Sequence, residues 1–156
     1  MADFYADSSV LVKRHIHEAG TERLLVLADP DFGNSIITVQ VSIVEVVSAF
    51  TRRVRERALA PEDAQQLILD FQSLCASEYR LVALRAPLIA QACQLLERHP
   101  LRAYDAIQLA AALTAQAALL AGALPPLTFL SADRRLLQAA LGEGLHTEDL
   151  STPTPS

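Results

Sequence analysis

"YADSSVLVK", residues 5–13, decides the fold. An apolar run ends at Asp7, and from Ser8 onward the apolar residues take a helical spacing. Asp7 and Ser8 are both good N-caps, because a short side-chain oxygen there accepts from the first free N–H groups of a helix. The preceding "DFYA" (3–6) is short and β-prone, and Gly20 is a natural stop for "DSSVLVKRHIHEAG" (7–20). The stretch reads as a strand entering a helix through a carboxylate. Two roles are open to Asp7: helix cap, or chemical group.

The same alternation continues outward. Thr21 is a candidate cap for "TERLLVLA" (21–28), Asp29-Pro30-Asp31 a turn, and "SIITV" (35–39) a strand. In "SIVEVVSAFTRRVRER" (42–57), Ile43, Val47, Phe50 and Val54 recur at the spacing of one helical face. Pro61 opens a second long helix with Leu67, Phe71 and Leu74 on one side. "RLVAL" (80–84) reads as strand, "APLIAQACQLLERH" (86–99) and "AYDAIQLAAALTAQAALL" (103–120) as helices. "LTFLSA" (127–132) reads as strand, leading into "DRRLLQAAL" (133–141), which Gly142 ends. Strands separated by one or two helices, with no clean hairpin signal, predict an α/β domain with a mainly parallel central sheet and more helix than strand.

A chain of 156 residues fits one compact domain, expected over residues 1–150, with "STPTPS" (151–156) a disordered tail. Apolar residues make up 51% of the chain, which predicts surface covered by another chain. The start "MADFYAD" has no Lys or Arg and so lacks the positive beginning of a secretory signal, which points to the cytoplasm. The longest apolar run, "AAALTAQAALLAGAL" (110–124), reads as too short to span a bilayer. Cys75 and Cys93 form no CxxC pair and read as core thiols. The net charge of −5 argues against a general polyanion binder. The five glycines are dispersed, so no phosphate-cradling loop is present, and no G-x-S-x-G elbow surrounds Ser8 or Ser9.

Four acids carry the chemistry. Asp7 and Asp133 sit at equivalent strand-to-helix junctions, the end of an open α/β sheet where sites gather. Glu45 and Asp105 lie within apolar helical patterns, where a carboxylate is costly to bury unless it is paired or binds metal. For Asp105 the plain alternative is a salt bridge to Arg102, three residues earlier; for Glu45 it is a solvated helix edge. Brought together without basic partners, four ionised acids need cations, and carboxylate oxygens suit Mg²⁺ or Mn²⁺. Two such ions roughly 4 Å apart would suit phosphodiester hydrolysis.

The ordered set "YADSSVLVK", "SIVEVVSAF" (42–50), "LRAYDAIQLAAAL" (101–113) and "FLSADRRLLQAALGEGL" (129–145) resembles the PIN domain, in particular the VapC-like toxins of toxin–antitoxin pairs. The resemblance covers nearly the whole chain. It implies a three-layer α/β/α fold and a Mg²⁺- or Mn²⁺-dependent endoribonuclease whose catalytic, metal-binding acids match Asp7, Glu45, Asp105 and Asp133. It further implies a homodimer and a small cognate antitoxin, with Ser9 and Ser131 supporting the acids by hydrogen bonds, and Asp7 a metal ligand more than a cap. One departure is the long segment between Asp105 and Asp133 with its "AGALPP" (121–126), which is expected to reshape a wall of the cleft.

Lys13, Arg102, Arg134 and Arg135 lie near the acids in sequence and are the candidates for steering RNA into a repulsive cleft. The arginines of "TRRVRER" (51–57) read first as a solvated helical face, with phosphate or inhibitor contact as the alternative. His15 and His17, two apart, read as surface residues. His99 and His146 lack a zinc pattern. Two other functions fit parts of the sequence. One is phosphoryl transfer through an aspartyl-phosphate on Asp7, which haloacid-dehalogenase-like phosphatases would pair with a second aspartate where Ser9 stands. The other is a catalytically inert module that binds RNA or protein.

Overall fold

A computed structural model of the chain describes residues 1–153. Five strands form one all-parallel sheet: β1 (Asp3–Ala6), β2 (Ser35–Val39), β3 (Arg80–Val82), β4 (Thr128–Ser131) and β5 (His146–Asp149), in the order β3-β2-β1-β4-β5. Phe4 pairs with Ile36 on one side and Thr128 on the other. The chain therefore builds outward from β1 in one direction through β2 and β3, then crosses over to build β4 and β5. A crevice opens at such a reversal, beyond the carboxyl ends of the two central strands.

Alternate strand residues feed two cores. Phe4, Ala6, Ile36 and Leu130 pack beneath α1 (Ser8–Val12), α2 (Thr21–Leu27), α3 (Val41–Arg55) and α4 (Pro61–Ser77). Tyr5, Ile37, Val39 and Phe129 face the other way, under α5 (Ala86–Arg98), α6 (Ala103–Ala121) and α7 (Arg134–Gly142). The result is three layers, α/β/α, as expected. Period-two alternation along short buried strands divides one apolar run between both faces.

Several local expectations are corrected. The first helix stops after Val12, because the Thr21 hydroxyl takes the Lys13 carbonyl (2.8 Å) and turns the chain away. Gly20 begins α2 instead of ending α1; its φ of 91° and the Leu150 carbonyl pressed against its Cα require glycine. On α3 the innermost residues are Ser42, Val46 and Phe50, with Ile43 and Val47 only partly buried, since the helix is wedged between the sheet and α4. His15 is not a surface residue: its ring is packed edge-on to Phe50 and Phe71, and burial lowers its pKa. His17 is exposed. Cys75 is buried as expected, but Cys93 lies exposed on the outer face of α5.

Strand β5 is absent from the expectations. "HTED" has no strand composition; its register on β4, from Thr128–His146 to Ser131–Asp149, makes it a strand. Ser151, within the expected tail, is half-buried and donates its N–H to Asp149 Oδ1 (2.7 Å). The rest of that expectation, over residues 154–156, lies outside the described residues. At 19 residues α6 is long and apolar enough to cross a membrane by length and composition, contrary to the expectation from its apolar run. Its Ala106, Leu109, Ala110 and Leu119 are packed in the core.

Candidate active site

All four acids stand at the carboxyl end of the sheet, each on a different element. Asp7 follows β1 and caps α1, its Oδ1 accepting from the Val10 N–H (3.1 Å). Asp133 follows the neighbouring strand β4 and caps α7, accepting from the N–H groups of Arg135 (2.9 Å) and Leu136 (3.3 Å). Both residues are thus helix caps, and the expectation that Asp7 caps little is corrected. Glu45 projects from α3, and Asp105 from the first turn of α6.

Their electrostatics form a chain. Burial pushes the Asp7 carboxyl from its ordinary 3.8 up to about 6, and the charge of Glu45 adds to the rise. Glu45 is raised by burial and by Asp105; Asp105 is raised by burial and by Asp133. Each acid thus feels the next. Among the described residues none of the four is in an ion pair. The Arg102–Asp105 salt bridge, the alternative to a site role, does not form, although the backbone and charge of Arg102 partly offset the rise at Asp105.

Hydroxyls and one amide hold the acids in place. Asp7 is only 4% exposed and accepts from Ser9 Oγ on Oδ1 and from Ser131 Oγ on Oδ2, both at 2.6 Å. Ser131 Oγ also accepts from the Asp133 N–H (3.0 Å), and Ser9 Oγ from the Ala132 N–H (3.2 Å). Both serines thus link the Asp7 carboxylate to the backbone that follows β4. With both its oxygens engaged and buried, Asp7 is poorly placed to attack phosphorus, which weighs against an aspartyl-phosphate.

Gln108 and Ser8 are the residues that reading the sequence missed. The Gln108 amide donates to Glu45 Oε1 (2.8 Å) and Ser42 Oγ (2.9 Å), and accepts from the Tyr5 hydroxyl (2.7 Å). Ser8 Oγ donates to Glu45 Oε2 (3.2 Å). Both Gln108 donors and its carbonyl are used, so this buried amide has one satisfied orientation. The available signal was a lone glutamine one turn beyond Asp105 in an otherwise apolar helical run.

The donors are carboxylate and hydroxyl oxygens, with no thiolate and no imidazole, which suits a hard divalent cation. Among the described residues no three His, Cys, Asp or Glu side chains converge on one ion-binding point. The acids fit a cation in kind, and would grip one only with inward movement of the more exposed side chains.

Glu45 opens into a cleft of about 540 Å³ whose walls include Ser8, Ser9, Arg52, Arg53, Tyr104 and Ala132. The expected basic residues are distributed differently. Lys13 lines the cleft with its partner Glu18 (3.2 Å) but is only 6% exposed, so its charge is already paired. Arg102, Arg134 and Arg135 are exposed, and the charge of Arg134 acts on Asp149, lowering its pKa behind the larger effect of Ser151. Arg52 and Arg53, read first as a solvated face, line the cleft itself. "AGALPP" does not: it enters β4 from the opposite end of the sheet, where Leu124 lines a separate hollow with Leu81 and Leu119.

A PIN domain profile matches residues 4–141. Three solved structures share the fold. FitAcB from Neisseria gonorrhoeae is 13% identical with a TM-score of 0.61, the match covering 95% of this chain and 98% of that one. VapBC2 from Rickettsia felis, bound to a DNA fragment from their promoter, is 11% identical with a TM-score of 0.60, covering 94% and 98%. PAE2754 from Pyrobaculum aerophilum is 15% identical with a TM-score of 0.57, covering 94% and 83%. No curated protein sequence matches the chain.

Proposed function

The chain belongs to the PIN domain family, a family of nucleases in general, and on that premise we propose that it is a metal-dependent endoribonuclease, the toxin of a toxin–antitoxin pair. The observation that carries the reading is the row of four mutually repelling acids, Asp7, Glu45, Asp105 and Asp133, gathered from four elements without an ion-pair partner among the described residues. Burial is the larger cost to Asp7, Glu45 and Asp105, and the charge of a neighbouring acid adds to it; a site that accepts both is suited to positive charge.

In this reading Asp7, Glu45, Asp105 and Asp133 hold Mg²⁺ or Mn²⁺. Such an ion would supply Lewis acidity, neutralising a phosphate and making water acidic enough to attack it. The protein's own part is positional. Ser9, Ser131 and the Val10 N–H fix both oxygens of Asp7. Gln108 and Ser8 take one oxygen each of Glu45 and aim that carboxylate into the cleft. Asp133 is held by the first turn of α7, while Asp105, less constrained, is the acid best able to move inward on a cation.

The resemblance to VapC-like toxins supplies the rest: RNA as substrate, a small antitoxin as partner, a homodimer, and action in the cytoplasm. Exposed Phe32, Leu69, Ile89 and Leu141 offer apolar surface for such contacts. The test is cleavage of a pool of structured RNAs by purified protein in Mg²⁺ or Mn²⁺ and in EDTA, beside Asp105→Asn. Cutting that needs the metal and vanishes in the variant is the expected result. Equal cutting by the variant would move the activity elsewhere, and no cutting by either, freed of any partner, would favour an inert binding module.

A further inference from the structure

Tyr104 is out of character with its surroundings. The chain has three tyrosines; Tyr5 and Tyr79 are buried at 0% and 7% exposure, while Tyr104 is 55% exposed. It directly precedes Asp105 in the first turn of α6, and its side chain lines the same cleft as Glu45. Val44, 67% exposed, adds a second apolar group to that cleft from α3.

The adjoining wall is cationic. Along α3 the cleft is lined in turn by Glu45, Ser48, Ala49, Arg52 and Arg53, a stripe that climbs one helical face. Arg52 stands seven residues beyond Glu45, about 10 Å along the axis. Its side chain is 61% exposed, and its only ion pair among the described residues is a long one to Glu56 (3.9 Å), itself exposed. Such a pair contributes little and is readily exchanged for a phosphate. Arg53 is more committed, donating to the Ala49 carbonyl (3.3 Å) and lying 3.9 Å from Glu18.

An aromatic face, an exposed guanidinium and the Glu45 carboxylate border one cleft, with Asp105 directly following Tyr104; they match the parts of one nucleotide step: a base, a neighbouring phosphate and the bond between them. Unpaired bases bind proteins by stacking on aromatic rings, which a base inside a duplex cannot do. We propose that Tyr104 and Arg52 form a subsite for one unpaired nucleotide beside the acids, Tyr104 stacking its base and Arg52 taking a flanking phosphate. This rests on the endoribonuclease reading above, and makes Tyr104 a determinant of single-strand specificity.

The test uses the full chain carrying Asp105→Asn, so that RNA is not consumed, with Mg²⁺ and a short fluorescent single-stranded RNA or its duplex. Tyr104→Leu should weaken single-strand binding roughly tenfold, Tyr104→Phe should retain it, and duplex binding should change with neither. The chain has no tryptophan, so quenching of tyrosine emission by the single strand, lost in Tyr104→Leu, reports the stacking directly. Arg52→Gln should weaken binding and reduce the slope of log affinity against log salt by about 0.7, whereas Tyr104→Leu should leave that slope intact. Parental affinity and quenching in Tyr104→Leu, or equal losses for strand and duplex, would overturn the subsite. In that event metal-dependent cutting by the otherwise wild-type chain would leave the nuclease standing; a chain that neither cuts nor binds RNA would remove both.

Discussion

Asp7→Asn should make the metal-free protein more stable at neutral pH, although it removes a group held by three hydrogen bonds. In the folded chain the carboxyl is raised from 3.8 to about 6, so the folded state binds the proton more tightly than the unfolded chain. A raised acid weakens the fold as pH climbs from about 4 to about 6, and the penalty is full above that range and absent below it. A shift of this size corresponds to about 3 kcal/mol. Asparagine keeps the shape and the carbonyl that accepts from Val10 and Ser9. Its amide must face Ser131 Oγ, which can turn to accept, so some of the gain is lost to poorer geometry. A net stabilisation of about 2 kcal/mol would raise the melting temperature by roughly 4–8 °C in a chain of this length.

The assay is thermal unfolding of both proteins in EDTA, at pH 7 and below pH 4. Acids remote from Asp7 titrate alike in both proteins, so the difference between the two melting temperatures reports Asp7 together with its coupling to Glu45. The variant should melt higher at neutral pH, and the gap should close in acid. Adding Mn²⁺ should raise the wild type and not the variant, since a ligand bound only by the native state stabilises it. A variant that melts lower than wild type at pH 7 in EDTA, or a gap that ignores pH, would show that Asp7 is not held ionised at a cost, and the argument from its burial would fall.

Other outcomes follow from single contacts. Gln108→Leu removes the acceptor that takes the buried Tyr5 hydroxyl and frees Glu45 Oε1; urea unfolding should show a loss of about 1–3 kcal/mol, and Mn²⁺ should raise the variant's melting temperature less than that of wild type. Gly20→Ala places a Cβ against the Leu150 carbonyl at a φ of 91°, so it should melt well below Gly144→Ala, whose added Cβ meets nothing at a similar φ of 87°. Phe71→Ala empties a fully buried site packed on His15 and Tyr79; it should cost about 3–5 kcal/mol and lower the melting temperature by roughly 10 °C.

Much of the architecture is written locally. The β-prone run before Asp7, the turn at Asp29-Pro30, Pro61 at a helix start and the glycine at 142 each act within a few residues, and each lies at or beside an element boundary in the fold. The errors fall where distant residues decide. A hydroxyl at Thr21 ends α1, β4 makes a strand of "HTED", and Phe50 with Phe71 encloses His15. None of these has a signal in its own neighbourhood.

The candidate site divides in the same way. Its acids and their two serine supports were legible, because a carboxylate at a strand end or inside an apolar helical pattern is costly enough to need a reason, and the resemblance ordered them. The tertiary structure alone decided that Asp7 and Asp133 serve as caps while sharing Ser131, that Gln108 reaches across from α6 to hold Glu45, and that Arg52 presents an exposed guanidinium to the cleft while Lys13 is buried against Glu18. The reason is range: caps, turns and periodicity follow from interactions along a few residues of backbone. Hydrogen bonds between residues 63 and 124 positions apart, such as those onto Glu45 and Asp7, exist only once the sheet has brought its strand ends together.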